Sequence, residues 1–235
     1  MWVLSWFLYF SIYSFLGWIC EVIYCSIPAK KFINRGFLKG PVCPVYGFGA
    51  VFVIYIMMRL NITSPLVVFI FGGVIASIIE FLAAILLESV FHTRLWNYSN
   101  RKFNIKGRVC LLNSTLFSIL SLALMEFIHP LISTFISRFS NITIIITSYI
   151  LILIFVVDLT LTVSEVVNLN ITLKNMNILE QLKKEFNKKE FNFKKLKRLK
   201  RLIEAFPQLE HKRYKEEFNR LKLVIKESID NNIKF

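Results

Sequence analysis

The sequence lacks charged side chains over long stretches of its first 173 residues. The chain contains 29 Lys and Arg and 15 Asp and Glu, but only 11 of the basic and six of the acidic residues precede position 174, and no basic residue lies inside an apolar run. In a soluble domain of this length, charges would be spread along the whole chain. This segregation and the mean hydropathy of +0.57 exclude an ordinary soluble protein and are typical of an integral membrane protein.

Nucleotide-binding and catalytic signatures are also missing. No GxxxxGK[ST] is present, so the chain has no Walker-type site of its own, and no GxSxG or HExxH occurs. The four cysteines, Cys20, Cys25, Cys43 and Cys110, lack a CxxC or HxxxH spacing that would support a metal site with His92. We expect them to be small buried hydrophobic residues. We therefore predict no cofactor and no metal, and leave open whether the protein is an enzyme.

Five apolar runs are long enough to cross a hydrocarbon core, which needs about 20 helical residues. They cover residues 2–27, 41–58, 65–87, 109–136 and 142–171. The first run has no basic residues before it and is too long for a signal peptide. We predict an all-α, polytopic membrane protein, with a transmembrane domain at residues 1–173 and a cytoplasmic helical tail at residues 174–235.

Positive charge predicts the orientation of these helices. The gap at residues 28–40 carries four Lys or Arg and the gap between the third and fourth runs carries five, whereas the other two gaps carry only Arg59 and Arg138. Loops rich in Lys and Arg stay in the cytoplasm. The N-terminus is therefore expected outside the cell and the C-terminus inside.

A short internal repeat accompanies the two basic loops. Lys39–Cys43 reads KGPVC and Lys106–Cys110 reads KGRVC, 67 positions later, and the same offset superimposes Glu21 on Glu88. This match indicates a tandem parallel repeat of a two-helix unit, as found in some transporters. A chance match is the alternative.

The stretch from Asn34 to Gly49 contains four glycines and two prolines in sixteen residues. Such a composition is incompatible with one continuous helix. It predicts either a re-entrant loop or a second helix that begins only near Gly47. An ordinary tight turn is the simpler alternative.

Acidic residues inside the apolar runs are the strongest functional signal. An ionised carboxylate at mid-membrane costs roughly 2.5–3.5 kcal/mol on translocon scales, so it is normally paired or faces water. Five of the six acids fall in the cytoplasmic half, and Glu126 is the exception. We predict a polar vestibule open to the cytoplasm that binds substrate or ions, with structural ion pairing as the alternative. Its candidate residues are Glu21, Glu80, Glu88, Asp158, Glu165, Asn34, Arg35, Arg94, Trp96, Tyr98 and Arg108.

The tail after Leu173 is polar and shows helical spacing of apolar residues, with a break at Pro207. We predict a helical hairpin or coiled-coil-like arm. Six basic residues within eight positions favour contact with anionic lipid or a partner protein, and a solvated helix pair that packs on itself is the alternative. These candidate contact residues are Lys194, Lys195, Lys197, Arg198, Lys200 and Arg201.

Three segments resemble a known bacterial family, the ABC-transporter type IV or CmpB-like permease proteins. They are Tyr13–Glu21 (YSFLGWICE), the NRGFLKGPVCPVYGFG stretch from Asn34, and Arg94–Cys110. The tail around Phe206 and Tyr214 also looks similar. The resemblance implies a permease subunit and no catalytic residue. The family usually has W-D-Y-S where this chain has Trp96–Ser99 (WNYS), so a role that needs a carboxylate there is in doubt.

These observations favour a permease-like component of the bacterial plasma membrane. The alternatives are a membrane scaffold or regulator that acts through its basic tail and, less favoured, a membrane-embedded lipid-modifying enzyme. Expected partners are membrane lipids, a separate ATPase or another cytoplasmic protein, and further copies of the chain, but no nucleic acid.

The orientation is testable by cysteine labelling. In a variant whose four native cysteines are Ser, Asn100→Cys is expected to react with a membrane-impermeant maleimide only after the cells are permeabilised, because the loop at residues 88–108 is predicted to be cytoplasmic. Ser140→Cys, in a loop predicted to be outside, is the matched control and should react in intact cells. Labelling of Asn100→Cys in intact cells would reverse the orientation.

Overall fold

The computed structural model describes residues 2–182, 201, 203–206 and 208–230. Four helical segments are long and apolar enough to cross a membrane: Trp2–Ala29, Pro65–Phe91, Leu111–Ser137 and Asn141–Asn175. Four of the five predicted membrane-length helices are therefore confirmed, and the chain has the helices of a membrane protein.

The second predicted run forms a shorter helix. Pro44–Arg59 has 16 residues, which span about 24 Å at 1.5 Å per residue. A hydrocarbon core is about 30 Å thick. It therefore remains a prediction that the second run spans the membrane and brings the total to five spans. The orientation with the N-terminus outside and the C-terminus inside also remains a prediction.

The described elements follow one another in simple order, and all but two are helices. A two-residue antiparallel ladder, in which Thr93 pairs with His211 and Arg94 with Glu210, is a small departure from the all-α prediction. The elements are α1 (Trp2–Ala29), α2 (Pro44–Arg59), α3 (Pro65–Phe91), β1 (Thr93–Arg94), α4 (Leu111–Ala123), a π-helix (Leu124–Ile128), α5 (His129–Ser137), α6 (Asn141–Leu182), β2 (Glu210–His211) and α7 (Lys215–Asp230).

The two KGxVC motifs both lie immediately before a helix. Cys43 precedes α2 and Cys110 precedes α4, each with extended backbone. Residues 31–43 are not helical, as their glycine content predicts, and Pro44 begins α2 at a position where its missing N–H costs nothing. The helix thus begins slightly before Gly47. The gene duplication and the re-entrant loop remain predictions.

Contacts divide the chain into two compact units. The first consists of Met1–Ile85 and Asn97–Leu159, and the second of Leu86–Trp96 and Thr160–Phe235. This division by contacts differs from the predicted boundary at residue 173, which separates a membrane domain from a cytoplasmic tail. That boundary remains a prediction. The core of the first unit is formed by Tyr13, Val53, Ile54, Met57, Val68 and Leu124.

Glycines permit close helix packing in the first unit. A Cβ atom on Gly17 would lie 2.2 Å from Tyr46 Cβ, so α1 and α2 approach where no side chain intervenes. Gly72 and Gly73 on α3 likewise face Ser121 and Ser118 on α4. Small residues at helix contacts are typical of membrane proteins, because close backbone approach increases van der Waals contact.

Two glycines on α2 allow a matched test of this packing. Gly47→Ala would place a Cβ 2.1 Å from Ser14 Oγ and 2.6 Å from the carbonyl oxygen of Phe10, whereas the Cβ of Gly49→Ala would meet only Ala76, at 4.0 Å. Overpacking costs about 1–3 kcal/mol, and Gly→Ala in an unobstructed helix stabilises by about 0.5–1 kcal/mol. We expect the thermal midpoint in detergent to fall for Gly47→Ala and to stay or rise for Gly49→Ala. Equal midpoints would contradict the close approach.

Candidate functional site

Glu21, near the C-terminal end of α1, lies within a group of polar side chains. Its Oε2 is 3.4 Å from Nε of Arg35, and its Oε1 accepts a hydrogen bond of 2.8 Å from the Tyr46 hydroxyl. Both members of the ion pair remain partly exposed. Glu21 therefore has a loop cation as its partner, as the structural alternative expects, and Tyr46 joins the pair from α2.

The loop that carries Arg35 is folded against α1. Trp18 Nε1 donates a hydrogen bond of 2.7 Å to Asn34 Oδ1, and Asn34 Nδ2 donates one of 3.1 Å to the carbonyl of Lys39. The buried thiol of Cys43 donates to the carbonyl of Arg35 at 3.2 Å. Asn34 and Cys43 thus hold the loop in shape.

Asp158 on α6 binds the same loop through its backbone. The two carboxylate oxygens accept hydrogen bonds of 2.8 Å from the amides of Lys39 and Gly40. A Cβ atom on residue 40 would lie 2.9 Å from Asp158 Oδ2, so this approach requires glycine. The geometry favours a loop anchor for Asp158 over the predicted role as a substrate ligand.

Glu80 on α3 is in a different situation. Glu80 is only 6% exposed. Its Oε1 accepts a long hydrogen bond of 3.3 Å from the Tyr98 hydroxyl. Asn113 Nδ2 in turn donates to Tyr98 Oη at 2.6 Å. Glu80 Oε2 has no hydrogen-bond partner, and among the described residues no Lys or Arg forms an ion pair with this carboxyl group.

Glu80 and Glu21 belong to one electrostatic cluster. Glu21 and Glu80 interact electrostatically. Burial, followed by the negative charges of Glu80 and Glu21, raises the pKa of Tyr98, while Arg35 opposes the shift. With both carboxyl groups ionised, two negative charges face one guanidinium. We call Glu21, Arg35, Tyr46, Glu80, Tyr98 and Asn113 the carboxylate cluster.

Two members of the carboxylate cluster were missed by sequence reasoning. Tyr46 belongs to the quoted VCPVYGFG stretch, but nothing local distinguishes its hydroxyl from that of any other interfacial tyrosine. Asn113 did offer a signal, because it begins the polar stretch Asn113–Thr115 inside the predicted fourth span. Buried polar groups normally have partners, and this polar stretch predicts one.

Arg108, Trp96 and Asn97 lie on or near the second basic loop. The Arg108 guanidinium lies over the ring of Phe81, 5.4 Å from its centroid, and Trp96 is half-buried. Asn97 Oδ1 accepts hydrogen bonds from the backbone and hydroxyl of Ser99, at 3.0 and 2.6 Å. An aspartate at position 97 would accept the same two bonds, so the turn itself does not need a carboxylate.

Glu88 and Glu165 belong to the second unit, and both are ion-paired. Glu88 Oε1 is 2.7 Å from Arg94 Nε and its Oε2 is 2.5 Å from Lys212 Nζ. Glu165 Oε2 is 3.5 Å from Arg201 Nη2. The arrangement favours structural pairing for both acids. Of the predicted basic contact surface, Lys194, Lys195, Lys197, Arg198 and Lys200 lie outside the described residues.

His211 joins tail residues to helix ends within this second unit. Its ring is almost fully buried; Nδ1 accepts a hydrogen bond of 3.0 Å from the Tyr214 amide, so Nε2 carries the proton and donates to Asn170 Oδ1 at 3.0 Å. Asn170 Nδ2 donates to the carbonyl of Phe91 at 3.3 Å. The packed state thus uses the neutral imidazole.

Most of the chain matches a known protein family. Residues 8–163 match the family described as Putative ABC-transporter type IV, well over half of the chain. The protein belongs to this family. Every residue of the carboxylate cluster and Asp158 lies inside the matched range, whereas Glu165 and the tail lie beyond it. Neither a curated protein nor a solved structure matches the chain.

The His211 contacts make the second unit of this ABC-transporter type IV protein sensitive to acid. Burial, followed by the positive charges of His92 and Arg213, lowers the pKa of His211 from 6.5 to about 4, while Glu217 opposes the shift. The unfolded form therefore takes up the proton first as pH falls. His211 favours packing fully above pH 6.5, and its contribution is lost as the pH falls towards 4.

This prediction can be checked by hydrogen exchange of the α7 amides, corrected for the intrinsic pH dependence. We expect protection at pH 7.5 to fall progressively between pH 6.5 and 4. His211→Gln should flatten that dependence, whereas His92→Gln, which removes one of the charges that lower the pKa of His211, should retain it over a narrower pH range. Unchanged protection down to pH 4 would show that the imidazole is not held neutral by packing.

Proposed function

We propose that the protein is the membrane-embedded permease component of a transporter, and that substrate or its coupling ion passes by the carboxylate cluster. The single observation that carries the proposal is Glu80, an almost fully buried acid in an apolar helix, with one oxygen that lacks a hydrogen-bond partner. A carboxyl group that is ionised while buried without a cation costs several kcal/mol, so Glu80 takes up either a proton or a cation. A purely structural acid would be expected to have the partners that Glu88 and Asp158 have.

The membership of the transporter family supports this proposal. We place the protein in the bacterial plasma membrane, with five spans, the N-terminus outside and the carboxylate cluster open to the cytoplasm. Since the chain has no Walker motif, ATP-driven transport against a gradient would require a separate ATPase subunit, which would dock on the basic loops or the tail. Passage of substrate down its gradient, in this proposal, needs the permease alone.

A scaffold or regulator that works through its tail is the competing hypothesis. The net charge of +14 supports it, because basic segments near a membrane attract anionic lipid. However, most of the large apolar side chains in the described part of the tail are buried, namely Phe206, Leu209, Phe218 and Leu221, while Leu223 is exposed. That burial leaves less apolar surface for a partner.

Flux measurements in proteoliposomes test the permease proposal. The purified protein is expected to increase the permeability of liposomes to at least one member of a panel of radiolabelled alkylammonium ions, amino acids and carboxylates. Glu80→Gln should reduce this flux at least tenfold, because the site loses its uncompensated charge. Glu126→Gln, which removes an exposed acid from the π-helix, is the matched control and should leave it unchanged.

Two outcomes would count against the proposal. Flux that persists in Glu80→Gln would remove the carboxylate cluster from the transport path. Liposomes containing the protein that are no more permeable than empty ones, to any member of the panel, would favour the scaffold hypothesis.

A further inference from the structure

A cavity of about 100 Å³ that is partly open to the surface lies in the first unit and shares Tyr46 with the carboxylate cluster. Its walls come from α1, α2, α3, α4 and the π-helix, and they are mostly apolar; Leu16, Val45, Val53 and Leu120 are examples. Apolar cavities with a few convergent polar groups are the usual form of small-molecule sites. The volume is smaller than the about 150 Å³ that accepts benzene, so a short alkyl chain suits it better than a ring.

The carboxylate cluster begins one helical turn beyond the cavity wall. Gly17 on α1 lines the cavity, and Glu21 follows it by four residues; Ala76 on α3 lines the cavity, and Glu80 follows it by four. Residues four apart lie on the same helix face, about 6 Å apart along the axis.

The direction of helical side chains brings both carboxyl groups back towards the cavity. Side chains in a helix lean towards its N-terminus, over the preceding turn. Glu21 and Glu80 do not line the cavity themselves, but this tendency favours a position of their carboxyl groups on the side of Gly17 and Ala76. Tyr46 joins the two features directly, because it lines the cavity and its hydroxyl binds Glu21.

The cavity accommodates the apolar end of a ligand, and the charges of the carboxylate cluster indicate what its polar end would be. Glu21 is matched by Arg35, whereas Glu80 has no cationic partner among the described residues. Burial favours the neutral form of a carboxyl group, and a cation beside it favours the ionised form. When Glu80 is ionised, the cluster carries two negative charges and one positive charge, so a second cation can pair with Glu80. Glu80 Oε2 also lacks a hydrogen bond, and a primary ammonium group offers three donors and one positive charge.

We propose that the cavity and the carboxylate cluster together form a binding site for a short-chain primary alkylammonium ion, with the alkyl chain in the cavity and the ammonium group at Glu80. The inference rests on the proposed function, since it names the substrate class of the same site. The inference goes beyond the proposed function because it specifies both the alkyl end and the charged end of the ligand.

Equilibrium binding to the purified full-length protein in nanodiscs tests the proposal, with n-butylammonium as probe and n-butanol as its uncharged analogue, both followed by saturation-transfer NMR. We expect butylammonium to bind at least tenfold more tightly than butanol. Glu80→Gln should abolish this preference, and Glu126→Gln should retain it. The comparison of the two ligands on the unmodified protein does not depend on whether any variant folds.

Two variants at Gly49 test whether the alkyl chain of the ligand lies in the cavity. Gly49 lines the cavity, and a Cβ there meets only Ala76 at 4.0 Å. Gly49→Leu would fill the cavity and should weaken the binding of both probes at least tenfold, whereas Gly49→Ala should bind both nearly as well as the unmodified protein. Undiminished binding in a folded Gly49→Leu variant would place the ligand elsewhere.

The remaining outcomes separate this inference from the permease proposal. Equal affinity for butanol and butylammonium would overturn charge recognition at Glu80. Absence of butylammonium binding, combined with Glu80-dependent proton flux in liposomes, would show that the site carries a proton alone and would overturn the inference while sparing the permease. Binding without any flux would support the site and overturn the permease.

Discussion

The two hydrogen bonds from the amides of Lys39 and Gly40 to Asp158 determine much of the first unit. They join residues almost 120 positions apart and hold the first basic loop against α6. Charge-assisted hydrogen bonds of this kind contribute about 1.5–3 kcal/mol each when the acceptor is ionised. The same loop presents Arg35 to Glu21, so the position of the only paired cation in the carboxylate cluster depends on an acid outside the cluster. Asp158 therefore affects the site without lining it.

Glycine contacts and the cavity have a common origin. Where Gly17 and Gly47 allow α1 and α2 to approach, the backbones nearly touch, and the neighbouring turns, with Gly49, Ala50 and Ala76, have too little side chain to fill the space that remains. Small residues thus bring the helices together and leave a void beside the contact. The acids one turn further along the same faces then lie at the end of that void. This juxtaposition makes Glu80 a binding group in our proposal, while Glu88 and Glu165, which have ion-pair partners, do not need a ligand.

The fold was more predictable than the site. Runs of apolar residues identified four membrane-length helices to within a few residues at most ends, because hydrophobic length is a local property of the chain. The run at residues 41–58 was the exception, since its helix begins only at Pro44 and has 16 residues. Among the candidate residues, Glu21, Arg35, Glu80 and Tyr98 do come together. The partners of Glu80 and the roles of Tyr46 and Asn113 were not predictable, because a hydroxyl or amide side chain looks alike in sequence whether it faces lipid, water or a carboxyl group.

The sequence by itself determined that this chain has the helices of a membrane protein, that its acids are concentrated towards the C-terminal ends of those helices, and that two of its loops are basic. Each of these properties follows from composition within about 20 residues. Only the tertiary structure decided which acids are satisfied. Asp158 is bound by backbone amides, Glu21 and Glu88 by cations, and Glu80 by the uncharged side chains of Tyr98 and Asn113. The reason is physical: the energy of a buried charge depends on the groups within a few ångströms, and here helix packing brings those groups from distant parts of the chain.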